Sequence, residues 1–167
     1  MNLSGFLTAA VFVVIGSAAP QQLVEPTADF AFRYEFKPCQ THTLDTYANK
    51  YTRLGGNDPS FSIPFTLSPL QTAAVYQEIA NIRFFDYPTD FKGVLLGAGE
   101  TTTTSPSTAY RLEVRSAGII HTVAYDDRYG PRSQEANRLL NLFDLVNGFI
   151  KDNPDVKRLP APRVNCM

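Results

Sequence analysis

An alternating aromatic run near the start of the chain, FAFRYEFK at residues 30–37, limits the folds available to it. A ring occupies every second position, and small or charged side chains occupy the positions between the rings. A side-chain period of two is the pattern of a β-strand with one buried face. The alternative is an exposed platform for stacking bases or sugars, which requires open rings with basic neighbours in a groove. The run predicts a strand whose rings face a hydrophobic core.

Four further segments have strand patterns, and two have helix patterns. The strands are expected at residues 41–54, 61–67, 110–115 and 119–127, and Pro64 restricts the third strand of the chain to a sheet edge or an outward-facing nitrogen. The sequence predicts a helix start at Ser68, whose side chain can cap the first helical amides. Pro69 suits the first helical position, and the Gln71 side chain can bond the Ser68 amide. This helix is expected to end near Arg83. Its apolar face is predicted to consist of Leu70, Ala73, Ala74, Ile79 and Ile82.

The last helix is expected to start at Ser133. Its apolar stripe is the clearest in the chain and consists of Ala136, Leu139, Leu140, Phe143, Val146 and Ile150. The predicted order is therefore three strands, a helix, two strands and a helix (βββαββα). This order favours an α+β fold of two layers, with an antiparallel sheet of about five strands and two helices packed on one face. The strand at 119–127 is apolar on both sides, which suggests a central position.

The start of the chain predicts export. The apolar run FLTAAVFVVI at residues 6–15 is followed by the small residues GSAAP, a pattern typical of a signal peptide that is cut after Ala18. The run is shorter than the approximately 20 apolar residues that span a bilayer. We expect a signal peptide at 1–18, a leader at 19–29 and one domain at 30–167, in a secreted or periplasmic protein without stable membrane insertion after cleavage. Because residues 1–4 carry no lysine or arginine, an uncleaved anchor stays open as an alternative.

The chain contains two cysteines, Cys39 and Cys166. An even number of cysteines in an exported chain favours a disulfide. The alternative is a pair of unrelated thiols. A bridge would tie the end of the chain to the end of the first strand.

Charge and motifs argue against several functions. The formal net charge is −1, with 15 basic and 16 acidic residues, whereas nucleic-acid-binding domains usually carry a basic excess. No cofactor is expected, because LGAGE at residues 96–100 lacks the remaining residues of a phosphate-binding loop. His42 and His121 are the only histidines, and neither lies in a metal-ligand spacing. A hydrolase that uses His121 with Asp126 or Asp127 remains an alternative function, as does a carrier of a small apolar ligand.

Two segments are candidates for contact with another extracytoplasmic protein. The turn YDDRYGP contains Asp126, Asp127, Arg128 and Tyr129, a polar and aromatic composition that is favoured at protein interfaces. The second segment is the Gly- and Thr-rich stretch at residues 93–107, which predicts a long loop. A calcium site at the two aspartates would require more regularly spaced oxygen ligands than this turn supplies.

Several motifs recur in a familiar order: LSPLQTAAVYQEIANIRFFDYP, SPSTAYRLEVRSAGIIHTVAYDD, EANRLLNLFDLVNGFI and KRLPAP. Over most of residues 60–162 the chain resembles a group of uncharacterised exported bacterial proteins. It resembles more distantly the emfourin-type inhibitors of thermolysin-like metalloproteases, although the Thr-rich insertion and the two cysteines depart from that pattern. The absence of catalytic motifs and the loops on a compact scaffold favour an exported, non-enzymatic binding domain. The distant resemblance implies that this domain is similar to a protease inhibitor, and it assigns no functional residue.

Overall fold

The computed structural model describes residues 24–55, 59–95 and 102–161 of the chain. Its main sheet has seven strands in the order β4-β3-β2-β1-β7-β8-β5, and two shorter strands, β6 and β9, pair separately. The strands are β1 (Ala31–Lys37), β2 (Thr41–Asp45), β3 (Lys50–Leu54), β4 (Phe61–Pro64), β5 (Asp90–Phe91), β6 (Thr102–Thr103), β7 (Ala109–Ser116), β8 (Ile119–Asp126) and β9 (Tyr129–Gly130). The helices are α1 (Pro69–Asn81), α2 (Gln134–Asp152) and α3 (Pro154–Lys157), and a short 3₁₀ turn spans Phe84–Asp86.

The aromatic run forms β1, which lies at the centre of the main sheet. Phe32 and Tyr34 are fully buried, and Phe36 is partly buried against the same core. The Tyr34 ring lies 5.4 Å from the ring of Phe143 in α2. The prediction of a strand whose rings face the core is therefore confirmed.

The sheet has seven strands rather than about five, and the predicted order of elements is wrong in this respect. Residues 41–54 form a hairpin, β2 and β3, where the sequence pattern suggested one strand. The Thr46 hydroxyl ties the reversal to β1, because it bonds both the amide and the carbonyl of Phe32. Within the turn, Asp45 Oδ1 accepts a hydrogen bond from the Ala48 amide. Asn49 then takes a left-handed conformation (φ 49°), which asparagine tolerates better than most residues.

The edges of the sheet also differ from the expectation. β4 is an edge strand, as Pro64 predicts, because proline has no amide to donate to a neighbour. β8 is not central, since its outer neighbour is the two-residue strand β5, which pairs with it in parallel. The other pairs of the main sheet are antiparallel. β8 has apolar residues on both of its faces. Ile120, which lies on the face away from the helices, is exposed.

The helix α1 begins as the sequence predicts. The Ser68 hydroxyl accepts a hydrogen bond from the Gln71 amide at 3.2 Å, and the Gln71 side chain accepts one from the Ser68 amide at 2.9 Å. The predicted apolar face is wrong at Leu70, which lies in the first turn of the helix and is 81% exposed. Val75, which the stripe omitted, is fully buried in its place.

The helix α2 covers the same face of the sheet as α1. Ser133 caps it by accepting a hydrogen bond from the Ala136 amide, and its predicted stripe is buried except for Leu140, which is partly buried. Leu142 is also buried. The fold is therefore α+β in two layers, with the hydrophobic core between the sheet and the helices.

The described end of the predicted leader contacts the folded domain. Both carboxylate oxygens of Asp29 accept hydrogen bonds from the β7–β8 turn, from the Ala117 amide at 2.9 Å and the Gly118 amide at 2.8 Å. The hydroxyl groups of Thr27 and Ser116 are 3.0 Å apart. Within the three described ranges, no helix combines the length and apolar character needed to cross a membrane.

Candidate protein-binding surface

The turn after β8 is held in one conformation by its own side chains. Asp126 Oδ1 accepts a hydrogen bond from the Arg128 amide at 2.9 Å, and the Arg128 guanidinium lies 3.6 Å from Asp126 Oδ2. An aspartate that bonds the amide two residues later is a common means of closing a turn. The turn therefore fixes the backbone while the Arg128 side chain remains exposed.

Asp127 joins this turn to the neighbouring loop. Its Oδ1 accepts a hydrogen bond from the Thr108 amide at 2.6 Å, and its own amide donates to the Thr108 carbonyl at 3.1 Å. The Asp127 side chain is only 17% exposed. The carboxylate therefore positions the two segments, and other residues of the turn offer more surface to a partner.

A short antiparallel ladder brings the two predicted contact segments together. β6 pairs with β9 through Thr102 opposite Gly130 and Thr103 opposite Tyr129. The ladder continues into the turn, because the Thr104 amide donates to the Arg128 carbonyl at 2.8 Å. We call the resulting surface, formed by residues 102–108 and 126–132, the loop platform.

A third segment connects the loop platform to the core. The Leu95 amide donates to the Pro131 carbonyl at 2.9 Å, and the Ser133 amide donates to the Gly93 carbonyl at 2.8 Å. Gly93 has φ +63°, and a Cβ atom at this position would lie 2.7 Å from the Tyr125 ring and 2.8 Å from Ala136 Cβ. Only glycine fits this close approach without displacing its neighbours. The core therefore holds one side of the loop platform in place.

The exposed part of the loop platform combines an aromatic ring, cationic side chains and hydroxyl groups. Tyr129 is 37% exposed, and Arg128 is exposed beside it. A cleft of about 400 Å³ lies next to the ring, and Thr104, Arg132 and Asn137 contribute polar groups to it. The Arg132 guanidinium is 4.0 Å from Asp127 Oδ2, a distance at which a surface ion pair contributes little. The same guanidinium donates a long hydrogen bond to the Asp127 carbonyl at 3.4 Å, and its side chain is 40% exposed, so part of its hydrogen-bonding capacity faces solvent.

His121 and Asp126 do not form a catalytic pair, and the Asp127 carboxylate is bound to the Thr108 amide. His121 lies opposite Val114, on the side of the sheet that the helices cover, and its Nε2 bonds the Tyr87 carbonyl at 2.8 Å. Asp126 is five positions further along β8 and therefore on the other side of the sheet, at a distance of about 16 Å for the usual strand rise. The His121 ring also packs against the rings of Phe84 and Phe85. These contacts are those of a structural histidine.

His42 is partly buried within the aromatic core. Its Nδ1 lies 2.7 Å from the Tyr51 hydroxyl, and its ring stacks on Phe36 at 4.5 Å between centroids. Burial, and to a lesser degree the positive charge of Arg53, lower the pKa of His42 to about 4. The folded state therefore favours the neutral form of the His42 imidazole.

The structure places Cys39 between β1 and β2, and Cys166 lies outside the described residues. The Cys39–Cys166 bridge therefore stays a prediction. Across residues 24–55, 59–95 and 102–161, no group of three or more histidine, cysteine, aspartate or glutamate side chains could hold a metal ion.

Sequence reasoning missed two residues of this surface and one buried cation. Arg132 and Asn137 line the cleft from the start of α2, where the pattern indicated only a helix cap. The buried Arg53 donates through Nη2 to the Pro160 carbonyl and lies over the Phe61 ring at 5.0 Å. Its position in the alternating run KYTRL was a signal that this cation faces inward.

No protein-family model matches the chain, and no curated protein matches it.

Proposed function

We propose that this protein is an exported, non-enzymatic binding domain that contacts another extracytoplasmic protein through the loop platform, in the manner of a protease inhibitor. The observation that carries the proposal is the hydrogen-bonded connection of two loops into one exposed surface beside a rigid sheet. Binding residues are commonly found on loops that a scaffold positions. The distant resemblance to emfourin-type inhibitors supports the same class of function.

The chemistry of the loop platform suits a protein partner. Tyrosine and arginine are the residue types that most often dominate binding energy at interfaces, and Tyr129, Arg128 and Arg132 are exposed together here. A surface that is already ordered loses less conformational entropy when it binds. The turn at Asp126 and the contacts of Asp127 with Thr108 provide that order.

The first test measures inhibition of a secreted thermolysin-like metalloprotease by the purified mature chain, with a peptide substrate and increasing inhibitor concentration. We expect inhibition by the wild type and a loss of at least about 30-fold in apparent affinity for a Tyr129→Ala/Arg132→Ala variant. The melting temperature of this variant should stay close to that of the wild type, since both side chains are exposed. Leu70→Ala is the matched control, because Leu70 is exposed at the start of α1 and outside the loop platform.

Two outcomes test inhibition of the protease and the role of the loop platform separately. A protease rate that is unchanged at every concentration of the wild type contradicts inhibition of this protease class. Inhibition that is equally strong in the wild type and the Tyr129→Ala/Arg132→Ala variant contradicts the assignment of the loop platform.

A further inference from the structure

An apolar groove lies where α1 ends, next to the turned end of the β7–β8 hairpin. It has a volume of about 290 Å³, and its lining combines two buried side chains, Ile79 and Phe84, with two that reach solvent, Tyr76 and Phe85. One water molecule occupies about 30 Å³ in the liquid, so the groove has room for an aliphatic side chain. Phe85 is itself 36% exposed at this site, which leaves an aromatic ring in contact with water.

An exposed isoleucine stands next to this groove. Ile119 is 59% exposed and is the register partner of Ser116, which lines the groove. In a regular antiparallel pair, register partners lie on the same face of the sheet. Ile119 and the groove therefore belong to one continuous surface that contains both a projecting apolar side chain and an apolar recess.

Two opposite charges also line the groove. Arg83 and Asp86 both contribute to it, and both side chains are exposed. In the part of the chain that the structure describes, the ion pairs involve other side chains, and neither Arg83 nor Asp86 takes part in one. The surface thus offers one cation and one anion that have no ion-pair partner among the described residues.

We propose that this surface binds a second copy of the same chain in a two-fold symmetric dimer. In such an interface every contact occurs twice, since residue i of one copy meets residue j of the other and the reverse also holds, so a projecting side chain and a recess on one surface can fill each other reciprocally. Ile119 of each copy enters the groove of the other copy. Arg83 of each copy pairs with the partner's Asp86. Apolar and charge complementarity in one patch favour self-association over a partner of a single charge sign.

The backbone conformation at Arg83 allows a substitution that reverses its charge. Arg83 has φ 56° and ψ 53°, a left-handed conformation that aspartate and asparagine accept more readily than most residues. The substitution Arg83→Asp therefore reverses the charge without adding backbone strain. Asp86→Arg reverses the other charge at an exposed position.

The experiment measures the mass of the mature chain by sedimentation at concentrations from about 1 to about 500 μM, since self-association depends on concentration. We expect a reversible dimer, with the dissociation constant raised at least about tenfold by Ile119→Asp. Ile120→Asp is the matched control, because Ile120 is 61% exposed but lies on the other side of β8. Its dissociation constant should change by less than about threefold.

The charge variants provide a second and independent result. Arg83→Asp and Asp86→Arg should each weaken the dimer about tenfold, and the double variant should return to within about threefold of the wild type. A wild-type chain that stays monomeric throughout this range overturns the proposal and leaves the groove to a different molecule. Equal effects of Ile119→Asp and Ile120→Asp, or a double variant weaker than both single variants, also overturn it. Melting curves of all variants show that each one is folded.

Discussion

At Gly93 the backbone leaves no room for a side chain. Its φ of +63° disfavours any side chain, and the missing Cβ allows contact with the Tyr125 ring and Ala136. We expect Gly93→Ala to lower the free energy of unfolding by about 2 to 4 kcal/mol, through backbone strain and overpacking. Urea denaturation measures this loss.

Gly148 provides the control for the same chemical change. It lies in α2, and a Cβ atom there would meet no atom within 4 Å beyond its chain neighbours and the nearby backbone of its own helix. Because alanine has a higher helix propensity than glycine, Gly148→Ala should raise the free energy of unfolding by about 0.5 to 1 kcal/mol. Equal effects at the two positions would contradict the packing described for Gly93.

His42 makes the stability depend on pH. Burial first, and the charge of Arg53 second, lower its pKa from 6.5 to about 4. Between these values the unfolded chain binds a proton that the folded chain does not, so acid favours unfolding. The stabilisation is fully present above pH 6.5 and is lost as the pH falls through this window. Allowing for solvent screening, we expect a loss of about 1 to 2 kcal/mol.

The variant His42→Gln isolates this contribution to stability. Glutamine keeps a hydrogen-bonding group for the Tyr51 hydroxyl but does not titrate. Urea midpoints measured between pH 4 and pH 7 should therefore vary less in this variant than in the wild type. The same slope in both proteins would show that other groups cause the pH dependence.

At the scale of the elements, the start of α1 offers a direct test of helix capping. The Ser68 hydroxyl bonds the Gln71 amide, and the Gln71 side chain bonds the Ser68 amide. We expect Ser68→Ala to lower the free energy of unfolding by about 1 kcal/mol, because a helix amide loses its acceptor. Leu70→Ala in the same turn should change it by less than about 0.5 kcal/mol, since Leu70 is exposed. A similar loss in both variants, measured by urea denaturation, would contradict the capping role.

The elements also show how far local patterns extend. Both long helices begin at the serines that the sequence indicated, because a cap depends on residues three positions apart. The hairpin of β2 and β3 was missed although Asp45 and Asn49 mark its reversal locally, because the bond that ties the turn to β1, from Thr46 to Phe32, joins residues 14 positions apart. The segments of the loop platform were identified, but their pairing was not. The residues paired in that ladder, such as Thr102 and Gly130, are distant in the chain and have no local signature.

At the scale of the whole molecule, we expect a bridge between Cys39 and Cys166 to connect the two ends of the domain. In the chain-entropy model, closing a loop of this length stabilises the fold by about 4 to 5 kcal/mol. A reducing agent should therefore lower the melting temperature of the mature chain and add two alkylation sites by mass spectrometry. The Cys39→Ala/Cys166→Ala variant should not respond to the reducing agent. Alkylation of both cysteines in the native, unreduced protein would contradict the bridge.

The sequence by itself determined the α+β composition, the inward side of β1 and the starts of α1 and α2. These features depend on spacing and capping over a few residues, which the order of amino acids records directly. The tertiary structure alone decided the seven-stranded order, the packing of His42 against Phe36 and Tyr51, and the meeting of the two loops at Asp127 and Thr108. These features depend on contacts between residues far apart in the chain, and such contacts form only when the sheet and helices pack together.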